Sequence, residues 1–136
     1  MKSCNEMNYS IAIYGGPYSD QASLSALHFA RALLKREHRI QRVFFYHDGV
    51  YNSSALVTPP QDEINVPTQW QTLASEHGIE LVVCIAAAVR RGLLDEKEAK
   101  RYSKSSYNLA EGYTLSGLGQ LIDASINCDK LITFGA

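Results

Sequence analysis

The sequence predicts an α/β fold, a three-layer sandwich in which a mainly parallel central sheet is flanked by helices. Short apolar runs alternate with amphipathic segments along the chain, an order typical of parallel sheets joined by right-handed crossovers. The runs at 43–45 and 81–83 contain no polar residue, as expected of strands buried on both faces. The alternation is flavodoxin-like, and at 136 residues we expect a single domain over residues 1–136.

The first strand is predicted from Tyr9 to Tyr14, and the Gly15-Gly16-Pro17 turn ends it. A helix follows, and Ser19 or Asp20 is placed to cap its first turn. The spacing of apolar residues in this helix predicts one buried face, made up of Leu24, Leu27, Ala30 and Leu34.

The second strand is predicted from Ile40 to Tyr46 and leads into a long polar segment that runs to Asn65. A loop of this length in a compact domain is usually functional or covered by a partner. Pro67 suits the first turn of the next helix, which we expect to end by Gly78.

The third strand and a short helix are predicted between Ile79 and Gly92, and Asp95-Glu96 opens a charged helix that runs through Arg101. The segment from Tyr102 to Gly112 is polar and is predicted to be a loop. The final strand is expected at 131–134. Before it, a last helix is predicted from the spacing of four apolar residues on one face, Leu115, Leu118, Ile122 and Ile126.

The composition excludes several classes of protein. A net charge of -1 provides no basic surface for strong direct binding to nucleic acid or to an anionic membrane. The longest apolar run, at 81–89, is too short to span a bilayer. The first ten residues lack the apolar stretch of a signal peptide.

Three cysteines are present, Cys4, Cys84 and Cys128, and they form no CxxC pair and no Cys/His cluster with the spacing of a zinc site. An odd count without a secretory signal argues against a disulfide framework and favours a reducing, cytoplasmic environment. We therefore expect free thiols and no metal site. Only Cys84 lies where a reactive thiol is expected, because Cys4 is near the N-terminus and Cys128 follows a predicted helix next to Asp129.

Cys84 is predicted at the junction of a buried strand and the short helix that follows it. The unpaired N–H groups at a helix start favour a thiolate, which is the nucleophilic form of cysteine. Three alanines after Cys84 leave room for another chain, and Arg90 and Arg91 add nearby positive charge. The alternative is that Cys84, between Val83 and Ile85, is a small core residue, since free cysteine is often fully buried. Both interpretations remain open from residue types alone.

The carboxyl ends of parallel strands gather at one edge of a sheet, and function concentrates where the strand order reverses. A strand order 2-1-3 would put Cys84 at that point. His47, beside Asp48, would lie on the same edge and could assist proton transfer. The Gly15-Gly16-Pro17 turn could cradle an anion, although it lacks the ending of a P-loop and is more simply an ordinary turn.

Several separated blocks of the sequence, in the same order, resemble the DsrE/DsrF-like family of sulfur-relay proteins on its TusD/DsrE branch. The resemblance covers nearly the whole chain. The blocks are Gly16-Pro17-Tyr18 with Gln21-Ala22-Ser23, the run from Val43 to Val50, Cys84-Ile85-Ala86-Ala87-Ala88 with Arg90-Arg91-Gly92, Asp95-Glu96, Leu115-Ser116-Gly117-Leu118-Gly119, and Asp129.

The resemblance implies a sulfurtransferase in which Cys84 carries sulfur as a persulfide, with no metal or organic cofactor. It implies a heterohexamer with TusB-like and TusC-like subunits, a TusA-like sulfur donor and a TusE-like acceptor, and 2-thiolation of the wobble uridine of tRNA. It assigns no catalytic role to His47, Cys4 or Cys128. The near-neutral charge fits a relay member that contacts proteins and neither binds nucleic acid directly nor enters a membrane.

Three alternatives remain open. The chain could be the DsrE subunit of a DsrEFH complex in dissimilatory sulfur oxidation, which uses the same cysteine. It could be a non-catalytic scaffold subunit, although the presence of Cys84 counts against this. It could also be a flavodoxin-like ligand-binding module, although the loop after the first strand lacks a convincing phosphate cradle.

Overall fold

The computed structural model describes residues 6–135 and contains a five-stranded sheet in which every neighbouring pair is parallel. The strands are β1 (Asn8–Ile13), β2 (Arg39–Phe45), β3 (Glu80–Cys84), β4 (Tyr113–Ser116) and β5 (Lys130–Phe134). They lie in the order β4-β3-β2-β1-β5, so all their carboxyl ends meet at one edge of the sheet.

Helices cover both faces of this sheet, which confirms the predicted three-layer α/β sandwich. The helices are α1 (Ala22–Lys35), a 3-10 helix (His47–Ser53), α2 (Val66–His77), α3 (Ile85–Arg90), α4 (Glu96–Arg101) and α5 (Gly119–Asn127). On one face, Phe29 of α1 packs edge-on against Tyr9, and Trp70 of α2 packs edge-on against Phe45. On the other face, α5 contacts β1, β2 and β5. No helix within 6–135 has both the length and the apolar character needed to cross a membrane.

Local signals in the sequence set most helix ends. The Asn65 side chain accepts a hydrogen bond from the Thr68 N–H and caps α2, which ends at Gly78 in the left-handed conformation. The Asp95 carboxylate caps α4 in the same way. At α1, Asp20 Oδ1 accepts from the Ala22 N–H at 2.8 Å, so Asp20 is the residue that satisfies this first turn.

The prediction of one continuous last helix from Leu115 is wrong. Leu115 lies in β4, and α5 begins only at Gly119. Tyr113 anchors β4, because its buried phenol donates a hydrogen bond to the Pro67 carbonyl and its ring packs against Phe45. Burial raises the pKa of this phenol well above its ordinary value. The tertiary contacts of Tyr113 therefore define a strand that the local sequence did not reveal.

The expected apolar row of this helix exists but faces away from the sheet. Leu118, Ile122 and Ile126 are 43%, 60% and 72% exposed. Ala124, by contrast, is fully buried. The face of α5 that packs on the sheet is therefore a different one, and the row Leu118–Ile122–Ile126 (the α5 row) is left in contact with solvent.

The strand order 2-1-3 is also wrong. From β1 to β4, each crossover adds the next strand beside the previous one, in the same direction across the sheet. β5 then pairs with β1 on its other side. Right-handed crossovers in one direction leave their helices on one face, which explains why α1 and α2 share a face and α5 lies opposite. The order reverses between β1 and β5, so Cys84 on β3 lies between β2 and β4, away from that point.

A buried arginine holds α5 to the sheet. Arg42 of β2 is only 6% exposed. Its guanidinium donates to Glu80 Oε2, to the Gln120 carbonyl and to Asp123 Oδ2 at 2.8, 2.9 and 3.0 Å. Burial by itself lowers the pKa of Arg42, but the hydrogen bonds and charges of Glu80 and Asp123 outweigh it and raise the pKa.

Replacing Arg42 with Met tests this anchor, because Met retains much of the apolar stem and removes the donors. We expect the free energy of unfolding to fall by about 1.5–3 kcal/mol, the range for hydrogen bonds to charged groups. The side chains of Glu80 and Asp123 are 57% and 48% exposed, so neither charge is left buried by the change. Urea unfolding measures the loss. Arg39→Met, at an exposed position of the same strand, is the control, and equal losses in both variants would contradict the anchor.

Candidate active site

Cys84 is the last residue of β3 and directly precedes α3, as the sequence predicts. Its backbone is extended, with φ -62° and ψ 117°, and its strand neighbour in register is Ser116 of β4. The Cys84 side chain makes no capping hydrogen bond to α3. It is 2% exposed and belongs to the hydrophobic core cluster. The position matches that of a reactive thiol, whereas the burial matches that of a core residue.

The 3-10 helix packs against the two elements that meet at Cys84, β3 and α3. This close packing depends on Gly49, whose N–H donates to the Tyr46 carbonyl at 2.8 Å. A Cβ at Gly49 would overlap the carbonyl oxygen of Ile13 at the end of β1. A glycine at this position therefore lets the 3-10 helix lie directly on the carboxyl edge of the sheet.

An ion pair joins the 3-10 helix to the end of α3. Arg91 Nε donates to Asp48 Oδ1 at 2.9 Å, and another nitrogen of its guanidinium donates to the Ala87 carbonyl at 3.1 Å. Asp48 is thus paired with Arg91, and its adjacency to His47 in the sequence does not make the two a catalytic pair. Arg91 therefore acts as a brace between two segments, while Arg90 remains exposed.

His47 lies on the same edge of the sheet as Cys84 but is engaged elsewhere. Its imidazole stacks on the Tyr46 ring, with centroids 4.2 Å apart and planes inclined by 3°, and it meets the Tyr14 ring edge-on. The side chain is exposed, and no hydrogen bond joins it to Cys84 in the part of the chain that the structure describes. A role for His47 in proton transfer stays a prediction without geometric support.

A buried polar network, which the sequence analysis did not identify, fixes the loops at this edge. Asn52 Nδ2 donates to Ser23 Oγ and to the Gly49 carbonyl, both at 2.9 Å. Ser23 Oγ in turn donates to the Gly15 carbonyl at 2.8 Å. Asn52 and Ser23 are fully buried. The network ties the loop after β1, the start of α1 and the 3-10 helix into one unit beside β3.

The turn at Gly15 is closed to an external anion by the protein itself. The Asp20 carboxylate lies where a Cβ of Gly15 would be, and it already accepts the hydrogen bond of the Ala22 N–H. A phosphate at this position would meet both the occupied N–H and the negative charge. This geometry counts against the flavodoxin-like interpretation.

Of the two remaining cysteines, only Cys128 is among the described residues, and it lies away from this edge. Cys128 follows α5 and is half-buried. Cys4 lies outside the described residues. Between residues 6 and 135, no group of three or more His, Cys, Asp or Glu side chains is arranged to hold a metal ion.

A groove of about 780 Å³ begins one residue beyond Cys84. Ile85, Ala86 and Val89 of α3 line one part of it, and α4 with the residues after it lines another. Ala86 is exposed and Ile85 half-buried. Cys84 itself does not line the groove, although its neighbour Ile85 does. We call this feature the α3/α4 groove.

Comparisons with known proteins agree on one family. The model of the DsrE/DsrF-like family matches residues 7–134. A DsrE protein of Allochromatium vinosum, named as a candidate sulfurtransferase, is 50% identical over 129 residues, which cover 95% of this chain and 99% of that protein. A protein of Salmonella newport named sulfurtransferase TusD is 48% identical over 128 residues, which cover 94% of this chain and all of that protein.

Among solved structures, the YchN protein of E. coli has the same fold. Its crystal structure superposes with a TM-score of 0.70 and covers 95% of this chain and 99% of its own. The sequences are 19% identical, so this likeness concerns the fold alone.

Proposed function

Because the chain belongs to the DsrE/DsrF-like family, we propose that it is a sulfurtransferase subunit of a sulfur relay and that Cys84 carries the sulfur as a persulfide. The observation that supports this role is the position of Cys84, at the carboxyl edge of a parallel sheet and at the start of a helix. Full-length relatives at 50% and 48% identity whose names include sulfurtransferase support the reaction class.

The proposed reaction needs only thiol chemistry. The Cys84 thiolate attacks the outer sulfur of a donor persulfide, R–S–SH, and a bond forms between Cys84 Sγ and that sulfur. The donor S–S bond breaks, and its electron pair leaves with the donor thiolate, so no external oxidant or reductant is consumed. An acceptor thiolate then attacks the outer sulfur of Cys84–S–SH in the same manner. The thiolate fraction, the leaving thiol and access set the rate of both steps.

Burial of Cys84 has a direct consequence for this reaction. At 2% exposure, the thiol is shielded from bulk oxidants but also from a donor protein. Attack of Cys84 on a persulfide therefore passes through a local opening, which a docked partner would favour. The 3-10 helix and α3, which are joined by the Arg91–Asp48 pair, are the segments that pack beside Cys84 and would have to move.

Intact mass spectrometry after incubation with glutathione persulfide tests the carrier. We expect the wild type to gain about 32 Da, the mass of one sulfur atom, and to lose it on treatment with a reductant. The variant Cys84→Ser has no nucleophilic thiol at this position and should gain no sulfur at the site.

Cys128→Ser is the matched control, because it removes a half-buried thiol far from the sheet edge and should leave the mass gain unchanged. Sulfur gain by Cys84→Ser equal to that of the wild type would transfer the role to another cysteine. Absence of any gain in the wild type would favour the scaffold interpretation, with Cys84 as a core residue.

We further propose that the sulfur is destined for 2-thiolation of the tRNA wobble uridine, with a TusA-like donor and a TusE-like acceptor in a reducing cytoplasm. Similarity to the TusD protein of Salmonella supports this destination. The net charge of -1 is consistent with contacts to relay proteins in preference to tRNA itself. The DsrE relative is slightly more similar, at 50% against 48% identity, so a DsrE role in dissimilatory sulfur oxidation is the second candidate.

Complementation separates the two destinations. We expect the wild-type chain, expressed in a Salmonella strain that lacks TusD, to restore 2-thiouridine in tRNA, measured by liquid chromatography and mass spectrometry. The variant Cys84→Ser should restore none, because the relay lacks its sulfur carrier. A wild-type chain that is persulfidated in the cell but leaves tRNA unthiolated would favour the DsrE alternative.

We also propose that the chain works in a heterohexamer with TusB-like and TusC-like subunits. The α5 row supports an assembly of this kind, because its three large apolar side chains are separated by one helical turn each and are 43–72% exposed. Related subunits with the same fold are the occupants that we assign to this surface.

Ile122→Asp with Ile126→Asp tests the assembly, because a carboxylate buried in an interface without a partner weakens association strongly. We expect the double variant, coexpressed with the TusB-like and TusC-like subunits of the same genome, to lose at least about tenfold in affinity for them. Light scattering after size exclusion measures the mass of the complex. Thr72→Asp with Ser75→Asp, on the exposed side of α2, is the control, and a hexamer that survives the α5 substitutions would rule out this surface.

A further inference from the structure

The α3/α4 groove carries a charge that differs from that of the whole chain. The chain has a net charge of -1, whereas the groove is lined by three cations, Arg90, Arg101 and Lys104, against one carboxylate, Glu98. Arg101 lies 3.9 Å from Glu98 Oε1, and its side chain is 67% exposed. Within residues 6–135, neither Arg90 nor Lys104 forms an ion pair with a carboxylate. The groove therefore presents positive charge that is not neutralised by the protein.

The floor of the same groove is apolar. Ile85, Ala86 and Val89 of α3 and Leu94 line it, and the half-exposed ring of Tyr102 adds an aromatic face. A binding site for an inorganic anion would not need this apolar surface. Apolar floor and cationic rim together fit a ligand that has both hydrophobic and acidic side chains.

A buried acceptor in the groove lining lacks a donor. Glu98 is 4% exposed, and its Oε2 has no hydrogen-bond partner in the part of the chain that the structure describes. Buried carboxylate oxygens are almost always hydrogen-bonded, so an unpaired one in a groove indicates a missing partner. A backbone N–H of a bound polypeptide, brought in as the Glu98 side chain turns towards the groove, would provide this donor.

We propose that the α3/α4 groove binds an acidic, partly apolar segment next to the reactive cysteine of the protein that exchanges sulfur with Cys84. The inference rests on the proposed function and adds the chemistry of the partner. The groove is lined by Ile85, the residue that follows Cys84 in the chain, so a segment bound there would bring its cysteine towards Cys84. The exchange is that of the proposed function: the sulfur–sulfur bond of the partner breaks as the bond to Cys84 Sγ forms, and the electron pair leaves on the partner thiolate.

The test uses two synthetic peptide persulfides that differ only in charge. Both contain one cysteine persulfide and one leucine, and three glutamates in the first are replaced by three lysines in the second. We expect the wild type to gain sulfur from the acidic peptide about ten times faster than from the basic one, since each exposed ion pair contributes modestly and three act together. Stopped reactions read by intact mass give both rates.

Charge reversal in the groove, Arg90→Glu with Arg101→Glu and Lys104→Glu, should invert this preference. The ratio of the two rates within one variant is compared, so a general loss of activity does not affect the result. Lys35→Glu with Arg36→Glu and Arg39→Glu makes the same change of charge at exposed positions at the opposite end of the sheet. This control should keep the wild-type preference.

A salt series uses only the wild-type protein, so its result does not depend on whether a variant folds. The preference for the acidic peptide should shrink towards unity as ionic strength rises from about 0.05 to about 0.5 M, because exposed charges are screened. Equal rates for the two peptides at low salt would overturn the groove assignment.

The neutral persulfide of 2-mercaptoethanol separates the groove hypothesis from the persulfide role of Cys84. If it transfers sulfur to the wild type but the peptides show no preference, the groove hypothesis fails and the persulfide role stands. If it and both peptides leave Cys84 unmodified, the persulfide role itself fails.

Discussion

The parallel pairing of all five strands is the constraint on which the rest of the structure depends. Parallel ladders require crossovers that return every strand in the same direction, so each strand ends at the same edge. Cys84, the 3-10 helix and the loop at Gly15 meet there because of this pairing, although they are far apart in the sequence. Gly49 and the Asn52–Ser23 network then fix the distance between these segments. The site is thus a consequence of topology that a few small and buried polar residues refine.

Four of the five strands could be predicted, because β1, β2, β3 and β5 contain apolar runs bounded by turn residues. β4 could not, since Tyr113–Ser116 is short, mixed in polarity and stabilised by contacts with Phe45 and Pro67, which are distant in the sequence. The orientation of α5 was missed for a similar reason. Its apolar periodicity is real, but the buried Arg42 binds Gln120 and Asp123 and so turns another face of the helix towards the sheet. Periodicity predicts a helix, whereas buried polar partners decide which face packs.

The candidate site likewise has parts that could be predicted from the sequence and parts that could not. The place of Cys84 follows from a strand and a helix that adjoin in the sequence, and it was predicted correctly. The partner of Asp48 could not be predicted, because Arg91 reaches it from another element. The α3/α4 groove combines residues from α3, from α4 and from the loop after it, so no single stretch of sequence has its pattern of apolar floor and cationic rim. Features made by one segment are visible in a sequence, and features made between segments are not.

Burial of Cys84 and its proposed reactivity are compatible if access depends on a partner. A cysteine persulfide reacts more readily with oxidants than a structural thiol does. A closed resting state therefore protects a cysteine that carries sulfur. Opening must then be linked to binding, and a ligand shifts such an equilibrium only by its preference for the open form. The α3/α4 groove shares α3 with the site, and α3 is braced to the 3-10 helix by Arg91 and Asp48. A segment that binds α3 therefore acts on the element that follows Cys84 directly, which gives docking a physical route to exposing the thiol.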